Sequence, residues 1–382
     1  MSLTNDIKDF VLDLGYSKVG ITTADPFSQL ITSLDERSED YVNFPGLSNY
    51  ADPHNALPEA KSIVVAAFDY FTEDFPDKFV GKICRFHMSR CYKADPNRIG
   101  GVRPELMRQF LVDRGCKVES WNGRRSLTSL KQAAVRSGIG LFGRNTLICA
   151  PSIGTFLMIN AWVIDTELEY DTPNSNLETH CPPGCQLCRD ACPTGALTAD
   201  FRLNPRRCIT LNTVRTRGGD SGLSAYIPKE IRPKLGAWIH GCDVCQQVCP
   251  KNEAKLQKGL QVNPYLAKKA SEFELIALLH MTDEYFDRVV HPIMYTHIQA
   301  DKKEIFRRNA AIALGNIGDP EAVPALADAL DDPSEVVRAH AAWSLGRIGG
   351  EAAKQALETQ RGRETGQIAS QEIGEALEEM IR

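Results

Sequence analysis

The chain has 382 residues, a formal net charge of −5, and 43% apolar against 24% charged residues. It is long enough for two or three buried cores and globular in composition, and it lacks the overall positive field of a general nucleic-acid binder. Residues Met1 to Asp6 carry no export-signal pattern, and no apolar run reaches the ~18 residues of a membrane span, so its twelve cysteines fit a reducing cytoplasm and metal ligation better than disulfides.

The first part of the chain reads as α/β. Residues 62–68 are a short apolar run suited to a buried strand, and 156–164 are a second. Residues 104–115 predict a helix with Leu106, Phe110 and Leu111 as its stripe and Gly115 as its stop. Residues 128–137 predict another, closed by Gly138-Ile139-Gly140. Asp171 to Asn176 is turn-rich and reads as a linker.

Two cysteine runs follow. Cys181, Cys185, Cys188 and Cys192-Pro193 form the first; Cys242, Cys245 and Cys249-Pro250 form the second, with Cys208 between. Each run ends in Cys-Pro after a three-residue gap. That ending is the mark of two-cluster ferredoxins, in which the last cysteine of one run ligates the other cluster. Two [4Fe–4S] clusters need eight thiolates, and these runs with Cys208 supply eight. Structural zinc would need paired spacings and four ligands per site, which leaves the Cys-Pro endings unexplained. Cys181 and Cys185 are separated by three residues, where two is usual; the extra Pro-Pro-Gly is turn-like and is expected to bulge outward. Short helices are expected after each Cys-Pro. Cys84, Cys91, Cys116 and Cys149 have no ligand spacing and read as small buried hydrophobes. Arg202, Arg206, Arg207, Arg215, Arg217, Lys229, Arg232 and Lys234 face only Asp220 and Glu230. This excess would either track a phosphate backbone or offset the charge of the clusters.

The C-terminal part repeats. Leu314-Gly315-Asn316-Ile317-Gly318 recurs as Leu345-Gly346-Arg347-Ile348-Gly349, 31 residues later. The period and pattern are those of short HEAT-like helix pairs. The region is mixed or acidic, with Arg307, Arg308, Arg338 and Arg347 as the basic residues available to line one edge.

In combination, four stretches resemble the epoxyqueuosine reductases over nearly the full length. They are Asp52-Pro53 with 57–65, 138–147 (Gly138 to Leu147), Pro205-Arg206-Arg207-Cys208-Ile209, and 241–252 (Gly241 to Asn252). The resemblance implies an α/β (α+β) cobalamin-type domain over 1–172, a two-cluster ferredoxin-like domain over 173–258, and an all-α HEAT-like repeat over 259–382. It implies a cobalamin held base-off beside two [4Fe–4S] clusters, a low-potential electron donor, and reduction of epoxyqueuosine to queuosine in tRNA. Gly143, Arg144, Asn145 and Thr146 match a segment that lies against the corrinoid; a tight turn is the plainer reading of the same residues. His54 reads as an ordinary loop histidine, consistent with base-off binding. The family's proposed proton-donating Asp falls on Arg124, and arginine cannot donate a proton near neutral pH. Glu119, with an insertion, or Tyr92 is then the acid. Arg124 and Arg125 are suited to an anion, which opens two alternatives: a paralogue that reduces a small anionic substrate, or a non-catalytic electron-transfer or corrinoid-handling protein.

Overall fold

The computed structural model describes residues 2–37, 47–88, 102–120, 127–173, 178–214, 225–294 and 303–381. By compactness the chain forms two units, each discontinuous in sequence. The first is Met1–Thr72, Tyr92–Pro205 and Val244–Leu260; the second is Glu73–Cys91, Arg206–Asp243 and Gln261–Arg382. This line differs from the expected 1–172, 173–258 and 259–382, and hydrogen bonds explain why. Within the second unit the Asp74 N–H donates to Gln261 O at 2.9 Å and the Cys84 N–H to His240 O at 3.0 Å. The Arg85 N–H donates to the Asp243 carboxylate at 2.7 Å.

The first unit is built on an antiparallel sheet of β1 (Lys18–Thr23), β2 (Ser62–Asp69), β3 (Val118–Ser120) and β6 (Leu157–Ile164), in the order β1-β2-β6-β3. Successive strand residues point to opposite faces, and both faces here are covered. Val64, Ala66, Trp162 and Ile164 pack with α1 (Leu3–Asp13) and α2 (Arg103–Val112). Ile63, Val65, Ala161 and Val163 pack with α3 (Leu127–Arg136). That double burial is why β2 reads as an unbroken apolar run rather than an alternation. The expected stripe of α2 needs one correction. Met107 and Leu111, four apart on one face, point into the core, whereas Leu106 is 42% exposed. A small hairpin of β4 (Leu141–Phe142) and β5 (Ile148–Cys149) leaves this core. Residues 143–146 form its turn, closed by Gly143 N–H to Leu147 O at 2.7 Å.

In the second unit α6 (Glu304–Ile317), α8 (Glu335–Ile348) and α10 (Gln367–Glu379) stack, and α7 (Val323–Asp328) and α9 (Glu351–Arg361) are the return helices. The repeated glycine has a packing cause. A Cβ on Gly315 would stand 2.5 Å from Ser344 Oγ, and one on Gly346 would stand 2.6 Å from the Ala376 Cβ. Each glycine lets its helix press against the next. Three of the basic residues proposed for one edge are bonded to neighbouring groups, and the exposed Arg347 lies over a ring. Arg307 pairs with Asp332 at 3.0 Å and Arg338 with Glu364 at 2.7 Å, and Arg347 lies 5.7 Å over the Trp343 ring. Arg308 is fully buried and donates to Ala225 O at 2.7 Å and Asn212 O at 3.1 Å. The basic excess upstream is reduced in the same way: Arg232 is buried in a two-bond pair with Glu372 at 2.8 and 2.9 Å, and Lys229 pairs with Glu375. Arg215 and Arg217 lie outside the described residues.

Candidate iron–sulfur centre

Four thiols of the first unit ring one cavity: Cys181, Cys185 and Cys188 from the first run and Cys249 from the second. The first run reaches it through a turn and one short helix. The Cys185 N–H donates to Pro182 O at 3.1 Å, and Gly184 has φ +67°. Pro183 and Gly184 are therefore the central residues of a type II turn, and the Pro-Pro-Gly segment is exposed, bulging outward as its composition suggested. Helix α4 (Leu187–Asp190) then buries Cys188. After Cys192-Pro193 the chain forms a hairpin of Leu197–Ala199 with Arg202–Leu203 rather than the expected helix. The Ala196 N–H donates to Cys192 Sγ at 3.3 Å, and Gly195 has φ +60°, so the chain turns back on the sulfur before a helix could start. After Cys249-Pro250 a helix does follow, at Glu253–Leu256.

The second run is held by Asn252, which is fully buried. Its Oδ1 accepts the Thr155 N–H at 2.9 Å, and its Nδ2 donates to Thr155 Oγ1 and to Gln246 O, both at 2.8 Å. Helix α5 (Val244–Gln247) carries Cys245, whose carbonyl accepts from Asn145 Nδ2 at 3.5 Å. Gly143, Arg144 and Asn145 also line the cavity, and the Arg144 N–H donates to Cys181 Sγ at 3.4 Å.

Burial is the first cause of the thiol electrostatics. It pushes Cys188 up to about 11, with Cys181, Cys185 and Cys249 adding to the effect, and it raises Cys249 in the same sense. Cys188 and Cys249 therefore resist ionisation; cationic iron reverses this, so ligation expels protons and couples metal binding to folding. The thiols stand around a space rather than a point: among the described residues no three His, Cys, Asp or Glu side chains converge on one ion. This donor set fits a cluster with iron at several corners.

Spacing gave no hint of one wall. Cys149 lines the same cavity and is buried, and burial followed by the nearby Cys249 and Cys181 holds it at about 11. Cys84 and Cys116 are buried elsewhere in the cores; Cys91 lies outside the described residues. Of the other ligands in the sequence pattern, Cys192 and Cys245 belong to the first unit and Cys208 and Cys242 to the second. Of the candidate acids, Glu119 is exposed on the edge strand β3, opposite Val163, and does not line the cavity. Tyr92, Arg124 and Arg125 lie outside the described residues. His54 is half-exposed on a short loop helix, where its Nδ1 and its N–H both meet Asp52 Oδ1, at 2.8 and 2.9 Å.

Comparison with known proteins places these features together. Residues 180–252 match the model of the 4Fe-4S double cluster binding domain, and 295–378 match the HEAT repeats. The chain is thus a double-cluster iron–sulfur protein with an α/β front and a helical-repeat end. It is 30% identical over 341 residues to the epoxyqueuosine reductase of Staphylococcus aureus, covering 85% of this chain and 83% of that one. It is also 30% identical over 345 residues to that of Bacillus subtilis, covering 86% and 83%. A solved epoxyqueuosine reductase bearing an epoxyqueuosine-modified tRNA-Tyr stem loop superposes with TM-score 0.83 at 29% identity, over 100% of this chain and 99% of the other. The chain belongs to the epoxyqueuosine reductase family and is an oxidoreductase. Among the described residues no helix is long and apolar enough to cross a membrane.

Proposed function

We propose that the protein reduces epoxyqueuosine to queuosine in tRNA. Removing the epoxide oxygen as water consumes two electrons and two protons, so the chain must deliver both. Cys181, Cys185, Cys188 and Cys249 hold one [4Fe–4S] cluster; Cys192, Cys208, Cys242 and Cys245 complete the eight thiolates that two clusters need. A low-potential donor loads them, in the cytoplasm where tRNA is modified. The observation that carries the reading is the exchange of ligands: Cys249 of the second run stands with three thiols of the first, in a chain that follows a tRNA-bound relative along its whole length.

Cobalamin belongs to this reading by resemblance, with Gly143, Arg144, Asn145 and Thr146 as the residues that would hold it. When bound it supplies a metal centre able to reduce a carbon–oxygen bond. Tyr92 is the proposed proton donor, since Glu119 is exposed on the edge strand β3.

One observation favours a second reading. Arg124 stands where the family's proposed proton donor is aspartate, and with Arg125 it suits a small anionic substrate. Deletion of the gene, followed by mass analysis of tRNA nucleosides, decides between them. Accumulated epoxyqueuosine, reversed by the wild-type gene, is the expected result. Unchanged queuosine in a strain without a second reductase would overturn the tRNA assignment.

A further inference from the structure

The turn between Cys181 and Cys185 is one residue longer than ordinary ferredoxin spacing, and a single side chain from another element fastens it. Arg144, on the β4–β5 turn, donates from Nη1 to Pro182 O at 2.8 Å and to Cys185 O at 3.0 Å. Its backbone N–H donates to Cys181 Sγ at 3.4 Å. The residue is itself held: Asp200 Oδ2 lies 2.9 Å from its Nε as an ion pair, and its carbonyl accepts the Phe201 N–H at 3.1 Å. Arg189 also pairs with Asp200, at 3.3 Å. The Arg144 side chain is only 15% exposed. It therefore touches both ends of the turn and one of the two sulfurs that the turn spaces.

We infer that Arg144 is a positioning residue of the iron–sulfur centre, clasping the longer ligand turn so that Cys181 and Cys185 sit at the spacing of one cluster. This rests on the ligand set proposed above. Arginine suits the place because one nitrogen, Nη1, serves both carbonyls while a second, Nε, lies rigidly against the Asp200 carboxylate. A lysine carries a single nitrogen on a flexible stem, so it cannot hold the two carbonyls and the Asp200 carboxylate from separate atoms. The turn is exposed, and a Cβ on Gly184 would find nothing within 4 Å.

The test uses the full chain, purified without oxygen, as wild type, R144K, R144Q and C181S. Iron release to a chelator is followed in time, and the reduced clusters are recorded by electron paramagnetic resonance. Loss of a residue that orients metal ligands weakens metal holding by about 10–100-fold. Both R144K and R144Q are therefore expected to release the irons of one cluster at least about tenfold faster and to alter one of the two signals, while the other cluster keeps its rate and signal. Hydrogen exchange in helices α6, α8 and α10 is expected to be unchanged, which separates a local clasp from general unfolding. Wild-type release from both arginine variants overturns the inference. So does a fast R144Q beside a wild-type R144K, since that assigns the effect to charge alone. A C181S protein that keeps every iron overturns the ligand set instead.

Discussion

The cavity of thiols and the stack of helices are held by bonds of very different reach. Around the cavity, Arg144 bonds across 38 and 41 residues, Thr155 to Asn252 across 97, and Asn145 to Cys245 across 100. In the stack, Arg338 bonds to Glu364 across 26 residues, Gln360 to Leu330 across 30 and Ser344 to Ala311 across 33. The stacked helices bond to their near neighbours over an apolar interface, and Arg308 and Glu372 add bonds across 83 and 140 residues to Ala225 and Arg232. The cavity gathers remote pieces around a ring of thiols, so it depends on what the thiols bind.

The sharpest way to break this contrast is to take the iron away. Chelation of the wild-type protein is expected to remove hydrogen-exchange protection from 141–149 and 181–192 while 304–379 remains protected. A Cys188→Ser substitution should do the same for one cluster, lowering bound iron from about eight to about four per chain and abolishing turnover. Equal loss of protection in the repeats would show that the two regions are not independent in this sense.

Next in size is Arg308, the one guanidinium fully buried in the second unit among the described residues. Arg308→Leu keeps apolar bulk but leaves the Ala225 and Asn212 carbonyls without their donor. A buried unsatisfied polar group costs ~1–3 kcal/mol, so chemical denaturation should show a loss of at least ~2 kcal/mol, with bound iron retained. Gly315→Ala should cost about 1–3 kcal/mol by overpacking, because the new methyl meets Ser344 at both its hydroxyl and its backbone. The companion Ser344→Gly should recover part of that loss, which marks the clash as the cause.

The contrast also explains what could be read before the structure was known. The repeats were visible because a 31-residue displacement of Leu-Gly pairs maps directly onto helix stacking. The strands 62–69 and 157–164 were visible because burial on both faces leaves a plain apolar run. The cluster region was legible in its ligands alone. Cys249 is named by its spacing, whereas Cys149 lines the same cavity with no spacing at all, since a β-hairpin brings it there from outside the motif. Arg144 was read as a corrinoid contact or a turn residue; its bonds to the Pro182–Cys185 turn are a tertiary fact that no local pattern encodes. The basic residues of the repeats misled for the same reason. Sequence gives their charge, but Arg307, Arg308 and Arg338 spend it on interior partners.

The smallest expected effect is a pH dependence confined to the repeats. The Arg338 guanidinium, bonded to both oxygens of Glu364, holds that carboxyl at about 2, against an ordinary value of 4.5. A depressed acid stabilises the fold when ionised, so its contribution is complete above 4.5 and is lost as pH falls toward 2. Asp332 works in the opposite sense, because burial raises it despite Arg307 and Arg338; its contribution fades as pH rises. The two oppose each other, and a pH titration of the wild type alone would understate both. Glu364→Gln separates them: it keeps an acceptor for Arg338 but cannot ionise. Between pH 5 and pH 3 the wild-type melting temperature should fall more than that of Glu364→Gln, and the two curves should draw together as pH approaches 2. Parallel curves across that window would mean that the Arg338–Glu364 pair is as well formed in the unfolded chain as in the stacked helices.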